Sequence, residues 1–258
     1  MIVKPKKSLG QHFLKNDDIC ARISDSLIVH EGYKKVLEVG PGMGALTQHL
    51  LRREAFELSV VELDRDSVAY LKVHYPQLRG RIIEEDFLHM KLDELFDEQF
   101  AVVGNYPYNI SSQIVFKILD YKEHIPEMVG MFQKEVARRF ASGPGSKEYG
   151  IISVLVQAHY NVEYLFTVDE TEFNPPPKVK SGVIRMTRKT GSVLGCDEKL
   201  FKAIIKTGFN QRRKTLRNSL KSMLKEGMDT TLDVFNKRPE QLSLQQFVEL
   251  TKMFEAFQ

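Results

Sequence analysis

At 258 residues, with 42% hydrophobic and 28% charged residues, the chain has the make-up of one large globular core plus a smaller appendage. No apolar run approaches the ~18 residues needed to span a bilayer. The basic cluster Lys4, Lys6, Lys7 is followed by no apolar segment of the secretory kind, so neither a membrane nor a secreted protein is expected. Cys20 and Cys196 make neither a disulfide framework nor a metal-ligand spacing; no metal is expected, and a cytoplasmic location fits.

Ile19, Cys20, Ile23 and Leu27 recur at helical spacing, which makes Cys20 a small core residue. Residues 36–39 read as a short strand, Gly40-Pro-Gly-Met-Gly44 as a tight turn, and 45–53 as a helix. Residues 58–61 form the next strand, ending in Glu62-Leu63-Asp64; 67–74 suit a helix and 81–83 a third strand, ending at Glu85-Asp86. The apolar run 100–103 is a buried fourth strand, Asn105-Tyr106-Pro107-Tyr108 a turn, and residues 109–112 the start of a helix. This alternation predicts an α/β fold, a parallel sheet with helices on both faces. Beyond it, 128–132 is apolar enough for a strand and 133–140 for a helix, and Ser142-Gly-Pro-Gly-Ser146 is a loop. Strands at 161–168 and 181–187 are joined by the stiff Pro175-Pro-Pro177. Gly191 to Gly195 reads as a linker, dividing the chain into domains 1–190 and 191–258. Helices are expected at 199–209, 214–225 and 243–257, the last with Ser243 as N-cap.

The charge is unevenly spread. Residues 173–225 hold fourteen Lys/Arg against Asp197 and Glu198, a net of +12 in a chain whose total is +3. A one-sign stretch points to a polyanion. On a helix over 214–225, Lys214, Arg217 and Lys221 would share one face while Leu216, Leu220 and Leu224 line another. Arg212 and Arg213, just ahead of it, are further candidates for phosphate contacts.

In doubly wound sheets, ligands bind at the carboxyl ends of the strands, where strand order reverses. Each such end here carries a useful group: Gly40, Glu62, Asp86 and Asn105. Gly40 and Gly42 let backbone approach a ligand, Glu62 is placed for ribose hydroxyls, and Asp86 for an adenine amino group. The glycine turn alone also fits a nicotinamide fingerprint. The Asn-Tyr-Pro-Tyr turn separates the readings, because it suits alkylation of an exocyclic amine and hydride transfer has no use for it. The Asn105 amide oxygen and the Tyr106 carbonyl are acceptors for the amine, Pro107 fixes the turn, and Tyr108 stacks on the ring.

Lys7-Ser-Leu-Gly-Gln-His-Phe-Leu14, the glycine loop, Val61-Glu-Leu-Asp64, residues 105–111, Pro175-Pro-Pro-Lys-Val179 and the run 209–220 together resemble the KsgA/RsmA family of small-subunit ribosomal RNA adenine dimethyltransferases. The resemblance implies a Rossmann-like class I methyltransferase domain with a mostly parallel seven-stranded sheet, and a small helical domain. It implies S-adenosyl-L-methionine as cofactor and N6-dimethylation of two adjacent adenines near the 3′ end of 16S rRNA, with a part in ribosome biogenesis and no membrane involvement. A monomer is expected. It places His12, Leu14, Gly40, Glu62, Asp86 and Asn105 at cofactor-contacting positions, and Tyr108 and Phe173 around the target base. Position 106 is Tyr where Leu, Ile or Pro is more familiar, and His12 stands where Asn is also common. Two other readings stay open: the related 23S rRNA adenine methyltransferase of macrolide resistance, and a methyltransferase-fold RNA-binding assembly factor. A nicotinamide dehydrogenase is the most distant.

Overall fold

The β/α rhythm of the first half closes into a seven-stranded sheet. The computed structural model describes residues 3–6, 9–191 and 194–257. Lys7 and Ser8 of the N-terminal motif, and Ser192 and Val193 of the linker, lie outside the described residues. The elements run β1 (Phe13–Leu14), α1 (Asp17–Asp25), β2 (Lys35–Val39), α2 (Thr47–Leu50), β3 (Glu57–Val61), α3 (Arg65–His74), β4 (Ile82–Ile83), β5 (Phe100–Asn105), α4 (Ser111–Asp120), β6 (Glu127–Gln133) and α5 (Lys134–Ala141). They continue with α6 (Ile151–His159), β7 (Tyr160–Val168), β8 (Phe173–Asn174), β9 (Ser181–Arg188), α7 (Glu198–Asn210), α8 (Leu216–Ser219) and α9 (Leu244–Glu255).

The sheet order is β4-β3-β2-β5-β6-β9-β7. The pairs β2–β3, β2–β5, β3–β4 and β5–β6 are parallel, and β9 runs antiparallel to β6. The chain winds outward from β2 through β3 to β4, then crosses back to β5 on the other side of β2. That reversal leaves a crevice at the carboxyl ends of β2 and β5. The central strands are apolar on both faces, as helix-covered parallel strands must be: Val36, Leu37, Ala101, Val102 and Val103 are all fully buried. Cys20 is buried among them, and burial pushes its thiol up to about 12.

The contacts divide the chain into two compact units, residues 1–137 with 161–188 and residues 138–160 with 189–258. The return of the chain at 188/189 falls beside the expected boundary, but residues 138–160, expected in the first domain, group with the C-terminal helices. The reason is α6, an almost wholly apolar helix that packs on α7 and α9. Nearby, the Tyr149 hydroxyl donates to the Leu242 carbonyl (3.1 Å) and Gly145 N–H to the Glu240 carbonyl (2.7 Å). In this second unit Asp197 caps α7 by accepting from Leu200 N–H, and Ser243 caps α9, as expected, by accepting from Gln246 N–H (3.2 Å).

The helix expected over 214–225 is not continuous. Only Leu216–Ser219 is helical, and turns follow. Asn218, Ser219 and Ser222 are weaker helix formers than the Leu and Lys around them, in keeping with the early stop. The buried stripe survives in part, with Leu216 and Leu220 fully buried. The cationic stripe does not survive as a helix face, since Lys214 precedes the helix and Lys221 follows it.

Candidate active site

The crevice of the first unit opens into a cavity lined by the residues the spacing singled out. Gly40 and Gly42, Glu62, Asp86, Asn105, Tyr106, Pro107 and Tyr108 all line it, together with Leu14 of β1 and His12 just before that strand. Phe173 does not. It is 1% exposed, packed in the core where β8 pairs with β1 opposite Leu14. The resemblance put Phe173 around the target base; in this structure its partner strand and the core cover it.

The turn after β2 runs through positive φ at Gly40 (+70°) and Gly42 (+57°), where L side chains are strained. A Cβ at Gly42 would come within 2.8 Å of the Phe13 ring, so the N-terminal arm lies directly on this turn. A Cβ at Gly40 would meet no protein atom within 4 Å, so its positive φ rather than packing calls for glycine there, in a residue that lines the cavity. Lys6 secures the arm, pairing with Asp64 and with Asp66 (2.7 Å) just beyond β3.

Glu62, at the end of β3, is buried, and its two oxygens accept from Gly42 N–H (3.0 Å) and Asp64 N–H (2.9 Å). It thus holds the glycine turn, a role the spacing alone did not reveal, while each carboxylate oxygen retains a second lone pair for a hydroxyl. Burial raises its pKa above the usual carboxylate value. Asp86 accepts from Leu88 N–H (2.9 Å) and pairs with His89 Nδ1 (2.8 Å).

Asn105 ends β5. Its Nδ2 donates to the His12 carbonyl (3.0 Å), which fixes the amide so that Oδ1 remains the available acceptor. The Tyr106 side chain is fully buried and packs on Phe132 at 5.2 Å between centroids, beside Gly130, where a Cβ would leave no room for its ring. Its contribution to the cavity is its backbone, as expected. The Tyr108 hydroxyl hydrogen-bonds to Ser181 Oγ, and burial raises its pKa, so the phenol stays neutral.

Among the cavity residues that the sequence reading did not single out, one carries a charge-bearing group inside a strand. Glu38, near the end of β2, is buried, and its Oε2 accepts from Thr47 Oγ1 (2.6 Å). Burial, with Glu62 nearby, pushes its carboxyl up to about 8. The signal was present: a lone acid inside the apolar strand Val36-Leu-Glu-Val39, two residues before a glycine turn.

In the second unit the five basic candidates fall into two groups. Arg212 donates to the Ser146 and Lys147 carbonyls (3.1 and 2.9 Å), and Arg217 to the Thr230 carbonyl (2.8 Å) and Asn236 Oδ1 (3.1 Å). Arg213, Lys214 and Lys221 are exposed, and their side chains make no hydrogen bond or ion pair among the described residues.

A family model described as "Ribosomal RNA adenine dimethylase" matches residues 2–256. A relative from Parabacteroides distasonis, named "Ribosomal RNA small subunit methyltransferase A", is 63% identical over 97% of this chain and 94% of its own. One of the same name from Cytophaga hutchinsonii is 56% identical over 97% of both chains. Among solved structures, a dimethyladenosine transferase from Plasmodium falciparum superposes with a TM-score of 0.80 at 24% identity, covering 95% of this chain and 98% of that one. The 23S rRNA methyltransferase ErmE superposes with a TM-score of 0.70 at 24% identity, covering 93% and 99%. Both superpositions show the class I methyltransferase fold. By the family match and the high identities across nearly its whole length, the chain belongs to the ribosomal RNA adenine dimethylase family.

Proposed function

We propose that this protein dimethylates N6 of two adjacent adenines near the 3′ end of 16S rRNA, using S-adenosylmethionine, and so takes part in assembly of the small ribosomal subunit. It acts as a monomer in the cytoplasm. The observation that carries the chemistry is the oriented Asn105 amide: Nδ2 is committed to the His12 carbonyl, which leaves Oδ1 as the acceptor of a residue that lines the cavity next to Tyr106. The relatives' names support the small-subunit substrate over the large one.

The cavity fits the cofactor. Bare Gly40 gives backbone approach, Glu62 supplies acceptors for ribose hydroxyls, and Asp86 an acceptor for an amino group. When bound, S-adenosylmethionine supplies a methyl already activated as a sulfonium.

The protein's own task is to make a poor nucleophile adequate. The lone pair of adenine N6 is delocalised into the ring, so the nitrogen must pyramidalise before it attacks. Asn105 Oδ1 and the Tyr106 carbonyl accept its hydrogens and gather the positive charge that develops, which favours the transition state over the ground state. Fixing the amine in line with the transferring group supplies much of the remaining acceleration. The alkylated nitrogen is acidic and loses its proton readily, so no general base is required. The adenine must leave its stack to enter, and a face of Tyr108 can return about 1–3 kcal/mol of that cost.

The test is to incubate the protein with labelled S-adenosylmethionine and undermethylated small subunits, large subunits or free RNA, then map the modified nucleotides. Dimethyladenine at two adjacent small-subunit positions is expected. Label on large subunits alone, or on no adenine, would overturn the assignment.

A further inference from the structure

Three contacts meet at His12. Its Nδ1 lies 2.8 Å from the Pro175 carbonyl oxygen, which can only accept, so Nδ1 carries the ring proton. Its own carbonyl holds the Asn105 amide. Its ring lies on Tyr108, with centroids 5.5 Å apart and 26° between planes. Tyr108 is in turn tied at its hydroxyl to Ser181, a fully buried residue of β9. The Tyr108 ring is therefore pinned at its rim and covered on one face.

A base inserted between the two rings would need about 7 Å, twice a van der Waals contact, against the 5.5 Å between their centroids, so the His12 side of Tyr108 does not admit one. Resting on the function proposed above, we propose that His12 is a positioning residue of the target-base pocket. Clamped on Pro175, its imidazole backs Tyr108 so that adenine stacks on the face away from His12, with N6 directed at Asn105 Oδ1. The family resemblance gives His12 a cofactor-contacting place, whereas the partners of its side chain are the Pro175 carbonyl and the ring of Tyr108, the residue assigned to the base above. Backing a ring in this way acts by limiting its orientations, and small misplacements of a reacting atom are costly. The second methyl transfer, with a single hydrogen left on N6, should suffer most.

The experiment compares wild type, His12→Ala and His12→Phe on undermethylated small subunits, with calorimetry for S-adenosylmethionine and nucleoside analysis of mono- and dimethyladenine. His12→Ala should lower turnover at saturating cofactor at least tenfold, keep cofactor affinity within about twofold, and accumulate monomethyladenine. His12→Phe, which keeps a ring against Tyr108, should recover most of the turnover. Wild-type turnover and product ratio in His12→Ala would overturn the proposal. So would a loss confined to the KM for S-adenosylmethionine, which would return His12 to the cofactor, and so would a Phe variant no better than Ala. Should His12→Ala unfold, Ser181→Ala releases the other anchor of the same ring, and wild-type product ratios there would overturn it equally. A wild type inactive on every RNA would instead sink the parent assignment, a result separable from an active wild type indifferent to position 12.

Discussion

Two buried carboxylates at opposite ends of the central sheet, Glu127 and Glu38, are held in opposite ways. At the amino ends of the strands, Glu127 is fully buried and accepts from Ile28 N–H (2.9 Å), His30 N–H (3.0 Å) and the Tyr33 hydroxyl (3.1 Å). Those bonds hold a loop in which Val29 and Glu31 take positive φ, a costly conformation for a β-branched residue. Arg188 closes the same end, pairing with Glu31 and donating to the Lys122 and Glu123 carbonyls. At the carboxyl ends, positive φ falls on glycines, and Glu38 has a single donor, Thr47, for a carboxyl that faces the cavity. Glu127 fastens the fold, Glu62 fastens the glycine turn and keeps lone pairs for a hydroxyl, and Glu38 faces the cavity with acceptor capacity to spare. The second unit repeats the contrast in cations: Arg212 and Arg217 are bonded to the protein, while the side chains of Arg213, Lys214 and Lys221 have no hydrogen bond or ion pair among the described residues.

The largest effect should come from the closed end. Glu127→Ala strands two buried backbone donors and a tyrosine hydroxyl, so stability measured by denaturant should fall by about 3–5 kcal/mol, while S-adenosylmethionine affinity stays unchanged. A folded mutant that lost cofactor affinity would break the division between the two ends. Glu62→Ala, at the open end, should weaken cofactor binding by roughly 1.5–3 kcal/mol through the lost acceptor and the loosened turn. Calorimetry on the folded mutant checks this, and unchanged affinity would remove Glu62 from the site.

Glu38→Gln sharpens the contrast through pH. Because the folded-state carboxyl is raised to about 8, the stability tied to its proton is complete below the ordinary glutamate value of 4.5 and is lost as pH rises through about 8. The neutral amide escapes that loss. The mutant's thermal midpoint should therefore exceed wild type at pH 8 by a few degrees, with the gap closing near pH 5. A gap independent of pH would show that Glu38 is not protonated in the folded state.

The smallest change is expected from neutralising Arg213, Lys214 and Lys221 together. Subunit binding should weaken, and the logarithmic salt slope should fall by about 0.7–0.9 per lost phosphate contact. Arg212→Ala should act on stability instead. A triple mutant with wild-type affinity and slope would make these three cations a merely solvated surface.

What the sequence disclosed and what it hid divide along physical lines. Gly40, Glu62, Asp86 and Asn105 were legible because strand ends are marked by turn residues, and parallel strands bring those ends to one rim. The double duty of Glu62 and the core burial of Phe173 were not, since both depend on which side chains meet across the chain. Helix α6 escaped because an almost uniformly apolar run has no period to read. The 214–225 segment misled in the other direction: its Leu and Lys spacing matched a helix, while Asn218, Ser219 and Ser222 weakened the backbone that would have carried it.

The central claim is that Asn105 offers its amide oxygen to the amine being methylated. Asn105→Ala should be assayed with labelled S-adenosylmethionine on undermethylated small subunits at saturating cofactor, beside calorimetry for the cofactor itself. The account predicts a fall in turnover on the order of 10²–10³-fold with only a modest loss of cofactor affinity. Dimethylation at the wild-type rate by the folded mutant would contradict it.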